Sequence, residues 1–246
     1  MTAVVCGPER NVMRTRIHAQ PGPVVACRRG FTRTDLLVGL AMLSVLAAVV
    51  APLVVGGQRK ARLARCTANL QQIGGAVLGF ARDNADRLPG PLPGQVGDVW
   101  WWYKEQVKRQ AGLRGASAPG DTLFACPDDR GYSDPIPFHA SARFDYNSYV
   151  FNGVTLPGVP NIAGWPVAAV KQPKRTLLVM EWSAHAPLSW HKSRTGRNNL
   201  PFYCDAESVA AFVDGHVSFT RFYYDGYNAA FTQDPIAGYD YQYSGN

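Results

Sequence analysis

The sequence is most informative first in what it does not contain. It has no H-E-x-x-H, no G-x-S-x-G and no Gly-rich phosphate loop, so the common metalloprotease, serine-hydrolase and nucleotide-binding signatures are missing. Ser189 and Ser193 have no nucleophile-elbow context. Cysteine is sparse, five in 246 residues, and no pair has the C-x-x-C spacing of a zinc site. No Lys/Arg stripe with interleaved aromatics is present, which argues against nucleic-acid binding. The net charge of +7 is largely N-terminal. Residues 1–30 hold five arginines and one acidic residue, leaving 20 basic and 17 acidic residues, or +3, in the remainder.

What is present is organised around Arg28-Arg29-Gly30-Phe31-Thr32-Arg33-Thr34-Asp35 and the run Leu36 to Val55 behind it. That run is free of charge and of the length, roughly 20 residues, that crosses a bilayer. A carboxylate at its head costs about 2.5–3.5 kcal/mol on insertion scales and is kept only if paired or buried in protein. Cutting after Gly30 would place an α-amine at Phe31, one helical turn from Asp35. The plainer alternative is that Asp35 sits at the interface and snorkels. Residues 1–29, with Pro21 and Pro23, read as a leader, and Met13 is an alternative start.

Gly30-Phe31-Thr32, then Asp35 and Leu36-Leu37-Val38, resembles the cleavage and methylation signal of type IV prepilins and type II secretion pseudopilins. The resemblance implies a prepilin peptidase that cuts after Gly30 and N-methylates Phe31. It implies an acidic residue in the fifth place, here Asp35 rather than the usual Glu. It also implies a proline near the end of the span, here Pro52. It puts the leader in the cytoplasm and the C-terminal domain outside the cytoplasmic (inner) membrane, on a single-pass anchor. The partners it implies are the peptidase and other pilin-like subunits, in a pilus-like or pseudopilus-like filament.

Further blocks resemble a large pilin-like family with a C-terminal His-x9-Asp-Gly signature. They are Cys66 with Asn69-Leu70-Gln71-Gln72-Ile73-Gly74, Phe124-Ala125-Cys126-Pro127, Ser148 to Gly153, Pro173 to Val179, and Asp214-Gly215. The signature is degenerate, because its histidine falls on Cys204. Either His191 replaces it in space or the role is lost, and Asp214 and Gly215 then read as turn chemistry.

Leu63, Leu70, Ile73, Val77 and Phe80 recur at helical steps from Gln58 to about Asn84. With the span this predicts one helix of about 50 residues, roughly 75 Å long, bent or loosened at Pro52 and Gly56-Gly57. Gly75-x-x-x-Gly79 allows close approach of another backbone, and a packing site against the protein's own sheet is preferred to a dimer motif. Asp83 to Asp86 and the Pro/Gly run after Leu88 end the helix. Trp100-Trp101-Trp102-Tyr103 precede a short helical stretch to about Gln110, and residues 111–175 read mostly as loops. Asp214-Gly215 predicts a type I′ hairpin pairing Phe212 with Val217 and Ala210 with Phe219 on an apolar face. Val213 with His216 and Ala211 with Ser218 would form the more polar face.

The predicted fold is α+β and pilin-like: a long N-terminal helix on a small antiparallel sheet with long loops. The organisation is leader 1–30, membrane segment 31–57, amphipathic continuation 58–86 and globular domain 87–246. Outside the leader remain Cys66, Cys126 and Cys204, which allow at most one internal bridge, with the pair undetermined. Asp225, Asp234 and Asp240 are the residues a calcium ion would take, though their spacing fits no EF-hand loop. No other cofactor is expected. Glu181, His185, His191, Asp205, Asp214 and His216 are the acid–base or metal candidates, and the expected class is non-enzymatic. The alternative is a membrane-anchored or twin-arginine-exported module, the latter cut between Val45 and Ala51. It would bind glycans through Trp100 to Tyr103 and the tyrosine-rich tail.

Overall fold

The computed structural model describes residues 31–92, 99–131, 136–185, 190–191, 206–223 and 233–246. Helix α1 spans Arg33–Asp83, with Pro52 inside it. Two compact units divide the chain, residues 1–49 and 50–246.

In the first unit the helix is apolar and bare. Leu36, Leu37, Met42, Leu43 and Leu46 are all more than half exposed. α1 is the one described helix long and apolar enough to cross a membrane. Its start is a reciprocal cap. Thr32 Oγ1 accepts the Asp35 amide at 3.1 Å, and Asp35 Oδ2 accepts the Thr32 amide at 3.0 Å.

The second unit is a helix-on-sheet core. Four strands, β1 (Tyr149–Phe151), β2 (Leu177–Glu181), β3 (Ala206–Phe212) and β4 (Val217–Phe222), lie in the order β1-β2-β3-β4. All neighbours are antiparallel. Cys66, Leu70, Ile73 and Val77, at helical spacing, form one core with Tyr149, Phe151, Leu178, Val179, Val209 and Ala211. A register shift between Leu177 and Val179 is a bulge, which explains why the consecutive Leu178 and Val179 share this core. The opposite face carries Val150, Leu177, Met180, Ala210, Phe212 and Phe222, covered by Ile236, Tyr241 and Tyr243 of the C-terminal tail. The tail is tied down by Asn152, whose Nδ2 donates to the carbonyls of Leu177 at 2.9 Å and Tyr243 at 2.8 Å.

Several expectations are corrected. The hairpin register is one residue off: Ala211 pairs with Val217, Ala210 with Ser218 and Val209 with Phe219. The reason is the turn. A type I′ turn needs positive φ at both central residues, but only Gly215 has it, at 92°. The Phe212 amide donates to the His216 carbonyl at 2.9 Å, so Val213, Asp214 and Gly215 form a three-residue loop. The face expected to be more polar, with Ala211 and Val213, is the one packed on the helix core. The packing glycine on α1 is Gly74, whose added Cβ would sit 3.4 Å from that of Ala211, whereas Gly75 meets nothing within 4 Å. The tryptophans lie inside a helix rather than before it: α2 is Val99–Val107. Pro173 to Thr176 is turn and bridge, and β2 begins at Leu177.

α1 stops where Asn84 Nδ2 donates back to the Phe80 carbonyl at 2.8 Å and Ala85 and Asp86 turn left-handed. Asp86 Oδ2 then accepts the Ala168 amide at 2.9 Å, so these polar groups serve the turn.

Candidate functional site

Among the described residues, one cluster of buried chemistry-bearing side chains stands out. α1 supplies Cys66, the loop after Phe124 supplies Cys126 and Asp128, the end of β2 supplies Glu181, and a loop segment supplies His191. Cys66 and Cys126 are joined as a disulfide with Cα atoms 5.2 Å apart. This resolves the open pairing and leaves Cys204 outside the described residues. Asn69, one turn beyond Cys66, donates from Nδ2 to the Ala125 carbonyl at 3.0 Å and so fixes the loop that carries Cys126. Ser148 Oγ accepts the Cys126 amide at 3.0 Å from the other side.

Glu181 is fully buried. It is the one charge in the run Leu177-Leu178-Val179-Met180-Glu181, and a buried carboxylate must be paired. Its Oε2 accepts the Val209 amide at 2.9 Å across the sheet. Its Oε1 lies 2.7 Å from His191 Nε2 and 3.4 Å from Cys126 Sγ. His191 Nδ1 lies 2.9 Å from Asp128 Oδ2, and Arg62 Nε donates to Asp128 Oδ1 at 2.6 Å.

Both ring nitrogens of His191 therefore face carboxylates, an arrangement that suits the imidazolium, since a neutral ring donates only once. Burial opposes that charge, but the bonds and charges of Glu181 and Asp128 outweigh it and raise the His191 pKa. Arg62, Asp128, His191 and Glu181 thus form a chain of polar contacts that runs from α1 to the end of β2.

A neighbouring Ser148–Asp129–His139 group does not have relay geometry. Ser148 Oγ donates directly to Asp129 Oδ2 at 2.7 Å, and both Ser148 and Asp129 approach the same nitrogen, His139 Nδ1, at 3.4 and 3.1 Å. A nucleophilic relay needs the serine and the acid on opposite ring nitrogens. Asp129 also accepts the amides of Gly131 and His139, so the group braces two loops.

The other sequence candidates are scattered. Asp214 Oδ1 accepts the His216 amide at 3.1 Å and meets His216 Nδ1 at 2.5 Å, on an exposed turn remote in role from Glu181. Asp234 spends its two oxygens on the amides of Tyr243 at 2.7 Å and Ser244 at 2.9 Å. Asp240 lines a surface groove with Lys174, Arg175 and Arg221. Asp225, Asp205, Cys204, Gly30, Ser189, Ser193 and the side chain of His185 lie outside the described residues. Of the aromatic run, Tyr103 is fully buried and stacked on Phe151 at 5.7 Å, and Trp102 alone is exposed.

The grouping of Cys66, Cys126, Glu181 and His191 was not read from the sequence, because its members are spread over more than a hundred residues. The lone glutamate closing an apolar strand was the available signal. No protein-family model, no curated protein and no solved structure matches the chain.

Proposed function

We propose that the chain is a non-enzymatic, pilin-like structural subunit of a type IV pilus-like or type II secretion pseudopilus-like filament. A prepilin peptidase removes residues 1–30 and methylates Phe31. The subunit waits in the cytoplasmic membrane with its sheet domain outside, then stacks its helix against those of its neighbours.

The observation that carries this reading is the combination at the helix start. Gly30-Phe31 precedes a capped helix whose first carboxylate, Asp35, heads an uncharged and exposed run from Leu36 to Val55. Such a surface needs lipid first and other helices afterwards. Packing of the apolar helices supplies the cohesion. Asp35, paired with the new amine of a neighbour's Phe31, selects the register, since an ion pair out of water adds specificity more than stability.

The test is the Asp35→Ala variant in the native host. It is expected to insert like the unaltered chain but to cross-link into neighbouring subunits at a small fraction of its yield. Equal cross-linking would contradict the pairing.

A further inference from the structure

The Cys66–Cys126–Glu181–His191 cluster offers one ligand atom from each residue, and these four atoms all lie within 4.8 Å of one another. We propose that, once the disulfide is reduced, Cys66 Sγ, Cys126 Sγ, Glu181 Oε1 and His191 Nε2 form a four-ligand site for a thiophilic divalent cation, zinc. This goes beyond the filament role and does not depend on it.

The donor set argues for the ion. Two thiolates, an imidazole nitrogen and a carboxylate oxygen are the ligand types zinc takes in four-coordinate sites. In a tetrahedral zinc site, neighbouring ligand atoms stand roughly 3.3–3.8 Å apart, from bonds of about 2.0–2.3 Å. Cys126 Sγ already lies 3.4 Å from Glu181 Oε1 and 3.9 Å from His191 Nε2. The His191–Glu181 distance of 2.7 Å must open a little, as it does when a proton between them gives way to a larger cation.

The supporting shell is also in place. Asp128 holds Nδ1 of His191 at 2.9 Å, the carboxylate–histidine arrangement that aims Nε2 at a metal. Arg62 in turn holds Asp128, and the Val209 amide holds the second oxygen of Glu181. Every ligand except His191 is fully buried, and the His191 side chain is 4% exposed.

The chemistry balances in two steps. A dithiol reductant gives two electrons to the S–S bond and is itself oxidised to a disulfide, leaving the thiols of Cys66 and Cys126. Zinc then replaces the two thiol protons and the Nε2 proton of His191, and all three go to solvent. The same four residues thus hold the loop of residues 66–126 closed in either redox state, covalently when oxidised and through the ion when reduced.

The experiment uses the full chain in detergent. It is reduced anaerobically with dithiothreitol, freed of reductant by gel filtration, and titrated with zinc or with cobalt(II) as the spectroscopic probe. One equivalent of metal on the reduced chain, none on the oxidised chain, and a thiolate-to-cobalt charge-transfer band are expected. Glu181→Gln and His191→Gln should each weaken binding more than tenfold. Asp128→Asn, which acts through His191, should weaken it about 10–100-fold. His216→Gln, outside the cluster, should leave it unchanged. A reduced chain that keeps its circular dichroism but takes up no metal would overturn the proposal. So would uptake that survives Cys66→Ser with Cys126→Ser, or unfolding on reduction that one equivalent of zinc does not reverse.

Discussion

Glu181 Oε1 stands 2.7 Å from Nε2 of His191, inside a core where the glutamate has no exposure. The pair sits beside the Cys66–Cys126 bond and joins the end of β2 to the loop segment that carries His191. Taking one member away leaves the other charged and buried, which costs more than the pair itself contributes. Glu181→Gln is therefore expected to destabilise the oxidised chain by about 3–5 kcal/mol, read by chemical denaturation. A loss under ~1 kcal/mol would mean that water reaches the cluster and the pair is not tightly held.

The disulfide closes a loop of 60 residues. Chain-entropy reasoning gives about 4 kcal/mol for a loop of that size. Cys126→Ser should accordingly lower stability by a similar amount, and metal-free reduction of the unaltered chain should do the same. The comparison is made in one detergent by denaturant midpoint. Equal midpoints for oxidised and reduced metal-free protein would show that the bridge adds nothing to the fold.

Asp145 supplies a pH dependence. It turns left-handed at φ 53° and is almost wholly buried, with Oδ2 making no hydrogen bond. Burial raises its pKa to about 6, against the opposing pull of Ser117 and Lys104. The folded state thus holds this proton more tightly than the unfolded chain does. Its stabilising effect is complete below the unfolded pKa near 3.8 and is lost as pH rises through about 6. Asp145→Asn keeps the shape and tolerates the left-handed backbone. It should flatten the decline in stability between pH 4 and pH 6, measured by thermal melts across that range. An unchanged slope would assign the dependence to another group.

Much of the fold was legible because its signals are periodic. The span and the amphipathic half of α1 follow from uncharged length and from the 3.6-residue spacing of Leu63, Leu70, Ile73 and Val77. The hairpin was legible in kind but not in register. Asp-Gly serves both a type I′ turn and a three-residue loop, and the choice rests on the φ of Asp214, which no short pattern fixes. The role of the tail was hidden for a different reason. Tyr241 and Tyr243 alternate like a strand, but they cover the sheet face from outside it, a non-local contact that no local pattern encodes. The cluster at Glu181 was hidden because its members come from four separated segments. Asn69 and Ser148, singled out only as parts of resembling blocks, proved to hold the loop that carries Cys126, and Asn152 to tie the C-terminal tail to β2.

The central claim, that this is a processed pilin-like subunit, is met most directly at the N-terminus. The measurement is mass spectrometry of the N-terminal peptide recovered from membranes of the native host. The account predicts a peptide that begins at Phe31 and carries one added methyl group. A peptide that begins after Ala47 to Ala51, or an intact Gly30–Phe31 bond in assembled protein, would contradict it.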